Sequence, residues 1–397
     1  MKSRYFAAAL CVLLLVPLLA SAQNQPVVTS ILGSNRAGLG DELTVEVRPL
    51  KALLDLSCQN STGCKKQNIA LFLNGMPLRG IEPVVDIHKE SLRYPLQRTE
   101  LTKDAWSALL GSPKGTTRRV TVSVGLENEY PLPSQVEKFD LIVLQPIWSI
   151  VVFVLVIVML IAFFKLAARS ALLRDPGPAS AAPEETIYSG PNATRKINIP
   201  YSLGRTQMAF WFLLVVISFL FIWLTTGQHD TLPQQVLTLI GIGTGTALGS
   251  ALIDSSKRTE SQSSVASLEA EKIALQERVD NISHHLLRAP SSKTELEAEL
   301  TAKRQRLTTL EGELRNAHKA LRPIESQGFW KDILTDANGI TFHRFQLLVW
   351  TVVLGLIFCV SVYSSLAMPQ FSETLLALMG ITSGTYIGFK FPEQHAK

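Results

Sequence analysis

The chain has 397 residues, 47% of them hydrophobic, and carries 38 Lys and Arg against 33 Asp and Glu for a formal net charge of +5. A mean hydropathy of +0.20 argues that part of it lies in lipid rather than in a set of soluble domains. The cationic excess is small and forms no basic stripe interleaved with aromatics, which excludes nucleic acid as a partner; it fits the lysine and arginine that flank membrane spans on the cytoplasmic side.

Residues 1–22 place Lys2 and Arg4 ahead of an apolar run that ends in Ala20-Ser21-Ala22. This predicts a secretory signal peptide cleaved after Ala22, with an uncleaved anchor as the alternative. Residues 23–146 are then an exported domain. Of the four cysteines, Cys11 leaves with the signal and Cys359 lies in an apolar run. Cys58 and Cys64 in "SCQNSTGCKK" are therefore expected to form a disulfide in an oxidising compartment. A metal site on these two thiols would need a nearby histidine or a second CxxC, and neither is present.

Within the exported domain apolar residues alternate: Leu43, Val45 and Val47; Ile69, Leu71 and Leu73; Val120, Val122 and Val124; Phe139, Leu141 and Val143. Period two predicts half-buried strands. Asn74-Gly75 marks a hairpin, "TKDAWSALL" a short helix over Thr102–Leu110, and the whole a small antiparallel immunoglobulin-like β-sandwich. The opening "PVVTSILGSNRAGLGDELTVEV", a proline-led strand, a glycine-containing loop and a second strand, resembles the start of IPT/TIG immunoglobulin-like domains. The resemblance implies a binding or structural module without catalytic residues.

Residues 147–166 hold an uncharged run of bilayer length, followed by Lys165, Arg169 and Arg174, so that end is expected in the cytoplasm. Residues 167–204 read as a cytoplasmic linker rich in Pro, Ala and Ser. Residues 205–254 and 343–391 are two copies of a transmembrane hairpin, related by one constant offset. It pairs Arg205, Gln207 and Trp211 with Arg344, Gln346 and Trp350, and Gly241, Gly245 and Gly249 with Gly380, Gly384 and Gly388. The G-x-x-x-G-x-x-x-G spacing puts the glycines on one helix stripe, expected to be a close packing face in lipid. A phosphate loop would need a preceding strand and a GK[ST] ending, which are missing. Five spans in all, with parallel copies about a pseudo-twofold axis, follow from this arrangement.

Residues 255–323 carry two heptad runs, Val265, Leu268, Leu275, Val279, Ile282 and Leu286 with Lys272 as the polar core position, then Leu296, Leu300, Leu307, Leu310, Leu314 and Leu321. Pro290 separates them. The expectation is a cytoplasmic antiparallel coiled-coil hairpin with arms of about 45 Å. Residues 324–342 are expected to form an interfacial segment, with Phe329, Trp330, Ile333 and Leu334 on one helix face, and 392–397 a cytoplasmic tail.

No His-Glu-x-x-His, G-x-S-x-G, Walker A or kinase set occurs, and no cofactor or metal is expected. His284 and His285 are expected in solvent on a coiled-coil arm. The repeated Arg-x-Gln-x-x-x-Trp reads first as a boundary anchor for the bilayer and second as a pair of Gln207 and Gln346 hydrogen-bonded across the pseudo-twofold axis or holding a lipid headgroup. The functional expectation is a non-enzymatic protein of a bacterial inner membrane that scaffolds or senses. Its partners would be the lipid bilayer and a protein bound through the exported domain or the coiled coil. The alternative is a homo-oligomeric channel lined by the glycine-striped helices, with Thr244, Thr246, Ser383 and Thr385 offering hydroxyls.

Overall fold

The computed structural model describes residues 25–59, 69–136, 139–175, 186–188, 194–196, 199–288, 293–321, 325–336 and 339–392. The expected signal peptide, Cys64 with its pairing to Cys58, residues 176–185, 189–193 and 197–198 of the linker, Pro290 and the last five residues lie outside them. The chain divides into two compact units. The first comprises residues 1–156, 218–231 and 358–368, the second 157–217, 232–357 and 369–397.

The first unit is β-sandwich-like. One sheet has the order β1 (Val27–Leu32), β3 (Glu42–Arg48), β7 (Ser91–Pro95), β6 (Val84–Asp86). A second joins β2 (Arg36–Gly38), β10 (Phe139–Ile142) and β8 (Thr117–Val120). The third joins β5 (Met76–Leu78), β4 (Ile69–Leu73) and β9 (Val122–Leu126). The alternation read from sequence is realised on β3, where Leu43, Val45 and Val47 are buried and their neighbours are not. All five residues of β4 are buried, so this strand is covered on both faces. Asn74 and Gly75 both have positive φ, 51° and 74°, which is the backbone a two-residue hairpin between β4 and β5 requires. The sandwich is not wholly antiparallel, because β2 pairs with β10 in parallel. It also holds a helix that strand periodicity did not indicate, α1 (Leu50–Gln59). There Leu50, Leu53 and Leu54 recur at helical spacing and pack on the core, and Cys58 sits in the last turn. The expected short helix is present as α2 (Lys103–Leu110).

Among the described residues four helices are long and apolar enough to cross a membrane: α3 (Pro146–Arg169), α4 (Leu203–Thr226), α5 (Gln234–Arg288) in its first part, and α8 (Phe342–Ser365). They mark a multi-pass membrane protein. The fifth expected span corresponds to α9 (Glu373–Lys390), which is not among these four because Glu373, Lys390 and the hydroxyls of Thr382, Ser383 and Thr385 dilute its apolar run.

Helix α5 does not stop at the end of its apolar part. It continues as one helix of 55 residues, about 80 Å at the α-helical rise, and its charged half lies beside α6 (Lys293–Ala320). The two run antiparallel, as the cross-helix ion pairs of Glu271 with Arg306 and of Lys272 with Glu311, and the approach of His318 to Glu269, show. Positions 265, 268, 272, 275, 279, 282 and 286 of this half of α5 are buried or half-buried at three-four spacing, with their neighbours 271 and 283 half-buried beside them. On α6 the same alternation includes Lys303 and Ala317, which complete the run of leucines. Lys272 is accommodated because its ammonium reaches Glu311 at 3.1 Å. His284 and His285 are exposed, as expected. Helix α7 (Phe329–Leu334) is held by Asp332, which accepts from the Tyr201 N–H at 3.1 Å, the Gln327 N–H at 2.8 Å and the Ser326 hydroxyl at 2.5 Å. Ile333 is buried and Trp330 stands exposed.

Candidate functional site at the sandwich and the helix ends

In the first unit the sandwich grips the ends of two apolar helices. A helix C-terminus leaves carbonyls unpaired, and at α2 the guanidinium of Arg118 on β8 covers them. It donates to the carbonyls of Ala108 (3.1 Å), Leu109 (2.7 Å), Gly111 (2.8 Å) and Ser112 (3.2 Å). The planar fork of arginine suits such a set of acceptors, which a lysine could not span. The turn fixed in this way meets α8. The Ser112 N–H donates to the Tyr363 carbonyl at 2.9 Å, and the Tyr363 hydroxyl donates to the Pro113 carbonyl at 3.1 Å. A Cβ on Gly111 would stand 2.2 Å from the Ser364 carbonyl oxygen, so backbone meets backbone here. Gly111→Ala is expected to lower stability by about 1–3 kcal/mol, the usual cost of forcing an extra methyl into a packed contact. Thermal unfolding of the detergent-solubilised chain measures it, and an unchanged midpoint would contradict this contact.

Leu366, just beyond α8, is part of the sandwich core and 1% exposed, and Phe221 of α4 packs against the same core. Leu366 has φ of +50°, a left-handed conformation that costs a branched residue energy and persists only where its surroundings over-determine it. Its carbonyl accepts from Arg98 Nη1 at 3.4 Å. The same Nη1 donates to Gln228 Oε1 at 3.3 Å, and Nη2 to the Ser107 hydroxyl at 3.0 Å. Arg98 thus ties the sandwich to the turns after α4 and α8. Among the described residues its Nε has no hydrogen-bond partner, although buried, and Arg98 forms no ion pair. Desolvation pulls its guanidinium below the ordinary arginine value, against the attraction of Glu100 and Asp104.

Beside Arg98 lies a cavity of ≈ 520 Å³. Its walls include Asp41, Leu96, Arg98, Gln145, Trp148 at the start of α3 and Trp223 near the end of α4. The volume is that of a small-ligand site, and aromatic walls with a few polar groups are its usual lining.

The second unit has a buried polar cluster. Lys390, in the last turn of α9, donates from Nζ to Asp254 Oδ2 and to the Ser250 hydroxyl of α5, both at 2.5 Å, and the Ser250 and Tyr386 hydroxyls are 3.4 Å apart. The side chains of Lys390 and Asp254 are only 10% and 8% exposed, so each neutralises a charge that would otherwise be buried alone. Lys257 Nζ donates to the Lys390 carbonyl at 2.7 Å, satisfying an orphan group at the end of α9. Lys390, at the end of its apolar run, thus ties α9 to α5.

The residues singled out in sequence divide as follows. Gly241, Gly245, Gly380, Gly384 and Gly388 have nothing within 4 Å of where a Cβ would be. Within this chain these five meet no neighbour, because the contacts on α5 fall two positions away, at Gly243 and Ala247. On α5 it is Gly243 that meets Trp211, at 3.3 Å, and Gly249 alone of the predicted six has a neighbour, Ile387 at 3.0 Å. Backbone meets backbone at Gly204, where a Cβ would lie 3.2 Å from the Ala247 Cα. Gly204→Val is therefore expected to lower the unfolding temperature, whereas Gly245→Ala should leave it unchanged or raise it through helix propensity. The opposite ranking would reverse the assignment of the packing face.

Arg205 donates to the Ala171 carbonyl at 3.0 Å and faces Asp175 at 3.9 Å, joining the start of α4 to the segment after α3. Gln207 and Trp211 are buried, at 2% and 0% exposure, while their counterparts Gln346 and Trp350 are half-buried. Neither amide atom of Gln207 has a hydrogen-bond partner among the described residues, so the bond to Gln346 expected across an axis does not form. Arg344 is buried, with its guanidinium 5.5 Å from the Tyr386 ring centre. No group of three or more metal-ligating side chains is found among the described residues. Sequence reasoning missed Arg98, Arg118, Gly111, Leu366 and the Asp254–Lys390 pair. The one signal that could have found the pair is that both charges stand at the very ends of apolar runs.

Comparison with known proteins gives no match to any family model, to any curated protein or to any solved structure.

Proposed function

We propose that this protein is a non-enzymatic inner-membrane protein of a bacterium that transmits the state of an exported immunoglobulin-like domain, through a five-span bundle, to a cytoplasmic coiled-coil hairpin. The observation that carries this reading is the sharing of one core by the sandwich and the ends of two apolar helices, through Phe221 and Leu366. A tethered domain on a flexible linker would make no such core. Helices α4 and α8 contribute to both units, so a displacement at the grip is passed along rigid elements. At the far end α5 carries its apolar part into the charged arm without a break, which suits a device that moves as a rod. The positive flanks Lys257, Arg258 and Arg344 support a cytoplasmic hairpin, and its heptad burial supports the coiled-coil reading.

The channel remains the second reading, favoured by the outward position of Gly241, Gly245 and Gly384. Against it, the hydroxyls of Thr246 and Thr385 donate to carbonyls of their own helices, at 2.7 and 2.8 Å. The test of transmission is a pair of spin labels on exposed hairpin positions, Ala274→Cys and Thr308→Cys, in the full chain with Cys359→Ser. Arg98→Gln at the grip is expected to shift or broaden the measured distance distribution. Identical distributions would contradict transmission, and unitary currents from the reconstituted parent would favour the channel.

A further inference from the structure

We propose that the cavity beside Arg98 is a binding site for the headgroup of a zwitterionic phospholipid, with the phosphate at Arg98 and the ammonium at Asp41. The inference rests on reading α3 and α4 as membrane spans, and it is independent of whether the protein transmits a signal.

Three observations converge. First, the ionisable side chains in the cavity wall are one of each sign, Arg98 and Asp41, so the lining matches a head that carries both charges better than an anion alone. Second, Arg98 is a half-buried cation with no carboxylate partner among the described residues. Its Nη1 contacts are long, at 3.3 and 3.4 Å, and its Nε has no acceptor. A guanidinium in that condition is under-satisfied, and phosphate oxygens are the acceptors its fork fits best. Third, the cavity is walled by Trp148 in the first turn of α3 and Trp223 in the last turn of α4, together with Leu224. Tryptophans at the ends of apolar helices lie at headgroup depth, and Trp148 is 54% exposed, leaving an apolar surface for the glycerol and upper acyl region.

The two charges stand on neighbouring backbone. The Asp41 carbonyl accepts the Leu96 N–H at 2.8 Å, and Arg98 follows Leu96 by two residues. Asp41 Oδ2 accepts the Gly38 N–H at 2.7 Å, which fixes the carboxylate while its second oxygen remains for an ammonium. Gly40 in the same wall has nothing within 4 Å of where a Cβ would be, which leaves this part of the cavity open.

The test uses the full chain in non-ionic detergent, titrated with a short-chain phosphatidylethanolamine, with phosphatidylglycerol of equal chain length and with inorganic phosphate, while tryptophan emission is followed. Saturable binding of phosphatidylethanolamine is expected, at least several-fold tighter than that of phosphatidylglycerol, with no saturation by inorganic phosphate. Asp41→Asn, which keeps an acceptor for Gly38, should abolish the preference between the two lipids. Arg98→Gln should weaken both by about tenfold or more. Because Arg98 also holds the helix ends, Trp148→Ala serves as the second variant: it should weaken lipid binding while leaving the unfolding temperature at the parent value. Absence of saturable binding in the parent overturns the proposal. So do equal affinities for the two lipids that Asp41→Asn does not change, or equal binding of inorganic phosphate.

Discussion

Lys390→Met is expected to destabilise the second unit by about 3–5 kcal/mol, the usual consequence of leaving one member of a buried ion pair without its partner. Asp254 would be left in a site from which water is excluded, beside Asp175 and the Ser250 and Tyr386 hydroxyls, without the ammonium of Lys390. Helix α9, which Lys390 pins to α5 at 2.5 Å, should detach first. The double variant Asp254→Leu, Lys390→Met removes both charges and should recover most of the loss, since replacing a whole buried pair by apolar groups is near neutral. Thermal melts in detergent of the parent, both single variants and the double variant give the coupling directly. Additive losses would mean that the two groups do not act as a pair.

Trp106→Ala should cost the β-sandwich-like domain about 3–5 kcal/mol, the range for deleting a large aromatic from a core. Trp106 is fully buried, and its indole N–H donates to the Gln97 carbonyl at 2.9 Å. Its loss therefore opens a cavity under α2 and also releases the segment that carries Arg98. Trp106→Phe retains most of the volume and loses only the hydrogen bond, so about 1 kcal/mol is expected. Unfolding monitored by near-ultraviolet circular dichroism separates the two. If both variants lost equally, the hydrogen bond and not the packing would be the larger contribution. If neither lost stability, α2 would not be part of this core.

These two sites show what the sequence made legible. Strand β3 and helix α2 could be read because their periodicity is local: every second residue of "LTVEV" is apolar, and Trp106, Leu109 and Leu110 fall on one helical face. The alternation of positions along α5 and α6 was legible for the same reason. Helix α1 was lost because its leucines were read inside a strand-rich domain, although Leu50, Leu53 and Leu54 have helical spacing. The grip was not legible at all. Arg98, Arg118, Gly111 and Leu366 are spread over more than 250 positions, and nothing local says that a guanidinium will cap another element's carbonyls. The glycine stripes illustrate the converse. Their spacing was correctly placed on helices, but spacing cannot say which side of a helix meets a neighbour: of the six only Gly249 has one, and Gly204 and Gly243, off the stripe, make contacts.

The central claim is that one chain carries a folded domain on the exported side and a helical hairpin in the cytoplasm. Single cysteines at His88 in the sandwich and at Ala274 in the hairpin, both exposed positions, test it in a chain with Cys359→Ser. The measurement is labelling by a membrane-impermeant maleimide in intact spheroplasts and again after lysis. The account predicts that the cysteine at 88 is labelled before lysis and the cysteine at 274 only after it. Labelling of both positions before lysis, or of 274 alone, would contradict it.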